Sequence, residues 1–254
     1  MSERGTGTRK QEHEIAIDAP VEAVWKAITD AEELTRWFVD AARVEPGVGG
    51  TFRISWGGAE EGTSTIQVWE PNRLLRVALA SLDIGPAKPE GMKPIIDEYT
   101  IERRDGKTVL RLVSSGIPDA KEWDGFYDGT NAGWPSFFRT LRHYLEHHGG
   151  RPRTTIKVVG KLSGSPEEAW ARLVAAVKPT GTIVFEQAPT TLEMNIPELG
   201  DAYLAHSMSC SGANNYVYTM LSVYGKTPTE VETIRAKWQP WLEQVLGVEA
   251  PSRV

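Results

Sequence analysis

Three of the five histidines, the single cysteine and a large set of tryptophans are the residues here whose chemistry needs weighing first. His143 and His147 stand four apart and would share a helix face, with His148 beside them. Two imidazoles so placed are half of a zinc site, which needs further ligands in tetrahedral array. Histidines in the last turn of a helix are equally favoured by the helix dipole, and that reading is preferred, so no metal is expected. Cys210 lies in a strand-like segment with no histidine near it in sequence, which describes a buried, inert thiol. Ser114-Ser115-Gly116 and Ser209-Cys210-Ser211-Gly212 do not match a nucleophile elbow. No glycine-rich phosphate loop is present. Tyr99, Arg53, Arg76, Glu98 and Arg111 lie on strand-like segments and could place a polar or charged group inside the fold. Alternation sets Arg53 opposite Phe52 and Ile54, toward water, and Glu98 with Arg111 suits a surface ion pair worth under about 1 kcal/mol. No catalytic constellation is visible and no cofactor is expected, which leaves the aromatic residues as the chemistry to explain.

The elements that position these residues follow from periodicity. Ile15 and Ile17 alternate as in a strand; after Asp18-Ala19-Pro20, apolar residues recur at Val21, Val24, Trp25 and Ile28, with helical spacing. Proline is tolerated at the first helical position because it has no N–H to lose there. Ala31–Phe38 reads as a second short helix. Strands are expected at Thr51–Trp56, with Phe52, Ile54 and Trp56 on one face, and at Thr63–Trp69 and Leu74–Leu79. Gly57–Gly62 reads as a turn and Gly85–Pro94 as a long loop. Ile95–Arg103 and Thr108–Ser114 form a hairpin across Asp105-Gly106. Asp119 and Glu122 have capping-box spacing, and an amphipathic helical region follows through Leu145, broken near Gly129–Pro135.

Gly149-Gly150-Arg151-Pro152 ends that region, because glycine suits a left-handed cap and proline cannot continue a helix. A domain boundary is placed there. The remainder repeats the order on a smaller scale: a strand at Thr154–Leu162, then a helix opened by Ser165-Pro166-Glu167-Glu168 and running to Val177. Strands are expected at Thr182–Gln187, Thr190–Ile196, Ala202–Cys210 and Asn215–Tyr224. A closing helix opens at Thr227-Pro228-Thr229-Glu230, with Pro240 bending it. Ser165–Leu173 echoes Ile17–Ile28 in degraded form, which suggests one architecture used twice. Antiparallel strands joined by tight turns, with segregated helices, define the α+β class.

Composition bounds the function. With 40% hydrophobic and 24% charged residues the chain is ordinary for a globular protein. A net charge of −6 argues against nucleic acid as a partner. No apolar run is long enough to span a membrane, and Met1–Gln11 is too polar for a signal peptide. One cysteine fits a reducing compartment, so a cytoplasmic protein with a disordered first ten residues is expected.

Ala19-Pro20-Val21-Glu22-Ala23-Val24-Trp25, Leu34-Thr35-Arg36-Trp37-Phe38, Gly49-Gly50-Thr51-Phe52-Arg53, Val68-Trp69-Glu70-Pro71-Asn72-Arg73-Leu74 and Gly133-Trp134 occur in this order. With these motifs, residues 12–148 resemble the domain of the activators of heat-shock chaperone ATPase (AHSA-type), within the START/birch-pollen-allergen-like, or SRPBCC, superfamily. Residues 153–248 are similar to a shortened copy by element order alone. The resemblance implies a helix-grip fold, a curved antiparallel sheet wrapped around a long C-terminal helix. In such a fold Trp37, Phe52, Ile54, Trp56, Tyr99, Trp123, Phe126, Tyr127, Trp134 and Phe137 are candidates to line a space between sheet and helix. The expected function is non-enzymatic binding of a small hydrophobic or aromatic ligand. A chaperone-interacting module and a cyclase- or aromatase-type enzyme are the alternatives. The oligomeric state stays open.

Overall fold

Strand β1 (Thr8–Ile17) runs into helix α1 (Val21–Thr29) across Asp18-Ala19-Pro20. The structure is a computed structural model describing residues 7–57, 62–79, 86, 91–211 and 214–248. Pro20 is extended (ψ 149°) and caps α1 one position earlier than its composition suggests, its carbonyl accepting from the amides of Ala23 and Val24. Helix α2 (Ala31–Thr35) is shorter than the expected Ala31–Phe38, because its last turn is irregular; Asp30 caps it by accepting from the Glu33 amide at 2.9 Å. Strands β2 (Ala41–Val44), β3 (Thr51–Ser55), β4 (Gly62–Glu70), β5 (Leu74–Leu79), β6 (Ile95–Arg104) and β7 (Lys107–Pro118) follow. The expected loop 85–94 and turn 57–62 lie mostly outside the described residues.

These strands form one antiparallel sheet in the order β1-β7-β6-β5-β4-β3-β2. Asp105 (φ 51°) and Gly106 (φ 78°) both take positive φ at the β6–β7 turn, as a two-residue hairpin requires. Thr8–Lys10 are strand rather than disordered, since β7 extends to Pro118 and pairs with them. Residues 1–6 lie outside the described residues. Strand β2 carries no apolar alternation, only a half-exposed edge, which is why periodicity passes over it.

Helix α3 (Asp124–His143) closes the unit, preceded by a 3-10 turn at Lys121–Trp123 and continued by a π-helical turn at Tyr144–His148. Two expectations fail here. The Asp119–Glu122 capping box does not form; Ala120 precedes the 3-10 turn without a side-chain cap. The helix does not break at Pro135. Proline inside a helix costs about 3 kcal/mol, but here Trp134, Phe137 and Phe138 pack on rings on both sides of it. Tyr144 at the helix end donates to the buried Glu33 at 2.5 Å, and Glu33 also accepts from Arg36, so α2 and the end of α3 are tied together.

The chain divides at Gly150/Arg151 into two compact units. The second has strands β8 (Arg153–Lys161), β9 (Thr182–Gln187), β10 (Thr191–Ile196), β11 (Ala202–Ser211) and β12 (Asn214–Tyr224), with helices α4 (Pro166–Val177) and α5 (Pro228–Leu246). Its sheet order is β8-β12-β11-β10-β9. As in the first unit, the first strand pairs with the last and the rest meander back. Ser165 accepts from the Glu168 amide at 3.2 Å, and Thr227 with Glu230 forms a full capping box. Helix α5 continues through Pro240 and ends at Gly247 in the left-handed region (φ 67°). One apolar core joins Trp170 and Leu173 of α4, Leu192 and Leu221 of the sheet, and Trp238 and Leu242 of α5. Both units are α+β, and the first has the helix-grip arrangement.

Candidate functional site

In a strand, alternate residues face one side. On β6 that rule puts Ile95, Asp97, Tyr99 and Ile101 on the face toward α3, the side on which Tyr99 meets Trp134 of the helix (centroids 6.1 Å). Register then extends the row. Asp97 stands opposite Ser114 of β7, and Ser114 opposite Gln11 of β1; Tyr99 stands opposite Leu112, and Leu112 opposite His13. Gln11, His13, Asp97, Tyr99 and Ser114 therefore share the inner face of the first sheet.

Their hydrogen bonding is uneven. Gln11 Nε2 donates to the Tyr127 carbonyl at 2.7 Å and to Thr130 Oγ1 at 2.9 Å, pinning α3 to β1. Ser114 Oγ donates to Asp97 Oδ1 at 2.5 Å. That is the one hydrogen bond Asp97's side chain makes among the described residues, and no lysine or arginine among them pairs with it. The Tyr99 hydroxyl bonds to none of them. His13 Nε2 is buried and has no partner. Burial pushes the Asp97 carboxyl up to about 6, partly opposed by the Ser114 bond. Burial, then the Asp97 charge, raises Tyr99 well above the ordinary tyrosine value. Burial lowers His13, which keeps it neutral near pH 7.

Rings lead from the surface to this polar row. Trp56 at the end of β3 is 42% exposed and meets Phe38 edge-on at 5.3 Å. Phe38 stacks on Trp134 at 5.5 Å, and Trp134 meets Tyr99, two residues from Asp97 on the same face. Phe137 closes on Phe38 at 4.9 Å and on Trp134 at 5.9 Å. Trp134, Phe137, Tyr99 and Ile54 are only partly buried.

The sequence-derived candidates thus separate. Trp56, Tyr99, Trp134 and Phe137 come together around Phe38. Trp37 stacks on Phe38 too, but it is 2% exposed and its indole N–H donates to the Ala27 carbonyl at 2.9 Å, so it is packed core. Phe52 is also buried. Trp123, Phe126 and Tyr127 belong to another cluster with Ile95 and Ile117. Tyr127 additionally lies under the Arg9 guanidinium, 4.4 Å from its centroid.

Among the strand charges, Arg53 is exposed as expected. Glu98 and Arg111 do not pair with each other, because register places Arg111 opposite Thr100. Glu98 accepts from Arg76 at 2.7 Å and Arg111 donates to Glu12 at 2.8 Å. These arginines belong to the opposite sheet face from Asp97. His143 and His147 stack at 4.7 Å, and the described residues hold no group of three or more metal-ligating side chains. The Cys210 side chain lies outside the described residues.

Sequence reading missed Phe38, the hub, and Asp97, the buried acid. Phe38 follows a short helix whose irregular end hides its direction. Asp97 carries the signal of alternation, between Ile95 and Tyr99, and was legible in principle.

A family model described as Activator of Hsp90 ATPase homolog 1-like protein matches residues 18–146. Among solved structures, the Aha1 dimer from Colwellia psychrerythraea is 22% identical (TM-score 0.48), over 56% of this chain and 98% of that one. An AHSA1-like protein from Rhizobium etli is 26% identical (TM-score 0.45), over 60% and 89%. DynU16, a protein of the dynemicin biosynthetic locus, is 17% identical (TM-score 0.46), over 94% and 96%. No curated protein matches the chain. No described helix is long and apolar enough to cross a membrane.

Proposed function

The chain belongs to the Activator of Hsp90 ATPase homolog 1-like family, and from that premise we propose that its first unit binds a small hydrophobic or aromatic ligand between sheet and α3. The observation that carries this reading is the run of rings from exposed Trp56 through Phe38 and Trp134 to Tyr99, ending at polar groups with unused hydrogen-bonding capacity. A ligand pocket has this make-up: apolar and aromatic walls with a few convergent polar groups that set orientation. Binding draws on burial of apolar ligand surface, roughly 25 cal/mol per Å² before ordering costs. The residues assigned to it are Trp56, Tyr99, Trp134, Phe137 and Ile54, with Phe38 and Asp97 added. The second unit, a shortened copy of the same architecture, acts as a second module. A reducing cytoplasmic compartment suits the single thiol. The test is native mass spectrometry of the protein from its own source, followed by titration of an apolar fluorescent probe into wild type and Trp134→Ala. A retained small molecule and a weakened titration support the reading; wild-type affinity in the folded variant removes it.

The family's description favours a second reading, a module that stimulates a chaperone ATPase. Stimulation of Hsp90 ATPase turnover by the purified protein, unchanged in Trp134→Ala, would establish that reading. A third, a cyclase-type enzyme, needs an ionisable group in the pocket, and Asp97 is the residue to examine for it.

A further inference from the structure

We propose that the ligand of the first unit is an apolar or aromatic amine whose protonated nitrogen seats on the Asp97 carboxylate. The inference rests on the pocket reading above and adds the sign of the ligand's charge.

The sheet's two faces carry opposite electrostatics. On the outer face Glu12 pairs with Arg111, Glu14 with Arg104 and Glu98 with Arg76. On the inner face Asp97 is 8% exposed, holds one bond from a neutral hydroxyl, and has no cation among the described residues. His13, the nearest titratable base in the row, is held neutral by burial. An ionised carboxylate in this setting lacks the partner that normally compensates desolvation. The described residues do not supply that partner, so a bound cation is the complement.

The surrounding rings point the same way. Tyr99 lies two positions from the acid on the same face, Trp134 meets Tyr99, and Phe38 and Phe137 stand behind Trp134. Aromatic faces carry negative quadrupole charge and attract ammonium groups, tryptophan most strongly. A carboxylate at the floor of such a set repels an anionic ligand and leaves a neutral one without an ionic bond. The ammonium bonds Asp97 Oδ2, the oxygen Ser114 does not use, while its apolar body lies along Trp134 toward Trp56.

The test is calorimetry of the full-length protein at pH 7.4 with four probes of one ring system: naphthalene, 2-naphthylmethanol, 2-naphthylmethylamine and 2-naphthoate. The amine is expected to bind at least about tenfold tighter than the alcohol, as a charge-assisted hydrogen bond exceeds a neutral one, and naphthoate weakest. In Asp97→Asn the amine falls to the level of the alcohol. Asp97→Ala, which leaves no amide behind, loses the same preference, so a folding defect in one variant leaves the other to decide. If alcohol or naphthalene matches the amine in wild type, the pocket reading stands and the charge assignment is overturned. An amine preference that survives in both variants also overturns it. Failure of all four probes overturns both.

Discussion

The two units share an element order and a strand order, yet their inner sheet faces are built oppositely. In the second unit Trp170, Leu173, Leu192, Leu221, Trp238 and Leu242 close into one core, and its inner-face histidine, His206, is 1% exposed with Nδ1 bonded to Thr219 Oγ1 at 2.7 Å. In the first unit the corresponding space holds half-buried rings and an acid with one neutral partner. The second unit therefore packs its inner face as one apolar core, while the first leaves partly buried rings beside a buried acid, the arrangement on which the proposed ligand site rests. What differs is the side-chain mass facing the helix, not the path of the chain. The largest burial shifts on the two inner faces differ in sign: burial lowers His206 to about 4 in the second unit and raises Asp97 to about 6 in the first, where His13 is lowered as well.

The contrast breaks first, and by the largest amount, at the tryptophans. Trp170→Ala should cost the second unit about 3–5 kcal/mol, the range for emptying a packed aromatic site. Trp134→Ala should cost the first unit only about 2 kcal/mol, since that indole is already partly open. Denaturant unfolding followed by region-resolved hydrogen exchange checks both, and equal losses would show Trp134 to be core.

The pH response sharpens the same contrast. His206 has a lowered folded pKa, so the folded state takes up its proton less readily than the unfolded chain. Its contribution is fully present above about 6.5 and is lost as pH falls toward about 4. The second unit should lose about 3 kcal/mol over that window. Asp97 has a raised folded pKa, which reverses the sign: its contribution is fully present below the ordinary aspartate value of 3.8 and is lost as pH rises through about 6. That is also about 3 kcal/mol, lost by the first unit. Protection factors, with the intrinsic pH dependence of amide exchange divided out, of peptides from residues 62–79 and 91–148 and from 151–248 should move in opposite directions from pH 4 to 7.5. His206→Gln and Asp97→Asn should each flatten one of the two slopes. Parallel slopes would contradict the assignment.

The smallest effect is at the helix end. Tyr144→Phe removes the hydroxyl that donates to buried Glu33 and accepts from the Gly150 amide. A loss of about 1–3 kcal/mol in the first unit, read by urea unfolding, is expected because Glu33 Oε2 and the Gly150 amide lose their partner, while Oε1 keeps Arg36. Burial and then Glu33 push that hydroxyl up to about 12, so the effect should be constant from pH 6 to 9.

Local chemistry made much of this protein readable from one sequence. The switch at Asp18-Ala19-Pro20, the Asp105-Gly106 hairpin, the caps at Ser165 and Thr227 and the glycine-proline boundary after His148 are decisions taken within a few residues. They need only φ preferences, caps and periodicity. The α+β class and the helix-grip arrangement follow from their order. What local chemistry could not decide was register and competition. Pro135 stays helical because rings from elsewhere pack beside it, and Arg111 meets Glu12 instead of Glu98 because β1 joins the far side of β7. Phe38, rather than Trp37, became the hub because the chain turns between them, sending one ring to the helix and the other's N–H to Ala27. Asp97 was an acid on a strand until the fold placed Ser114 opposite it and set Arg76 and Arg111 on the other face. Burial is a property of the assembled sheet and helix, and desolvation energies exist only once that assembly has excluded water.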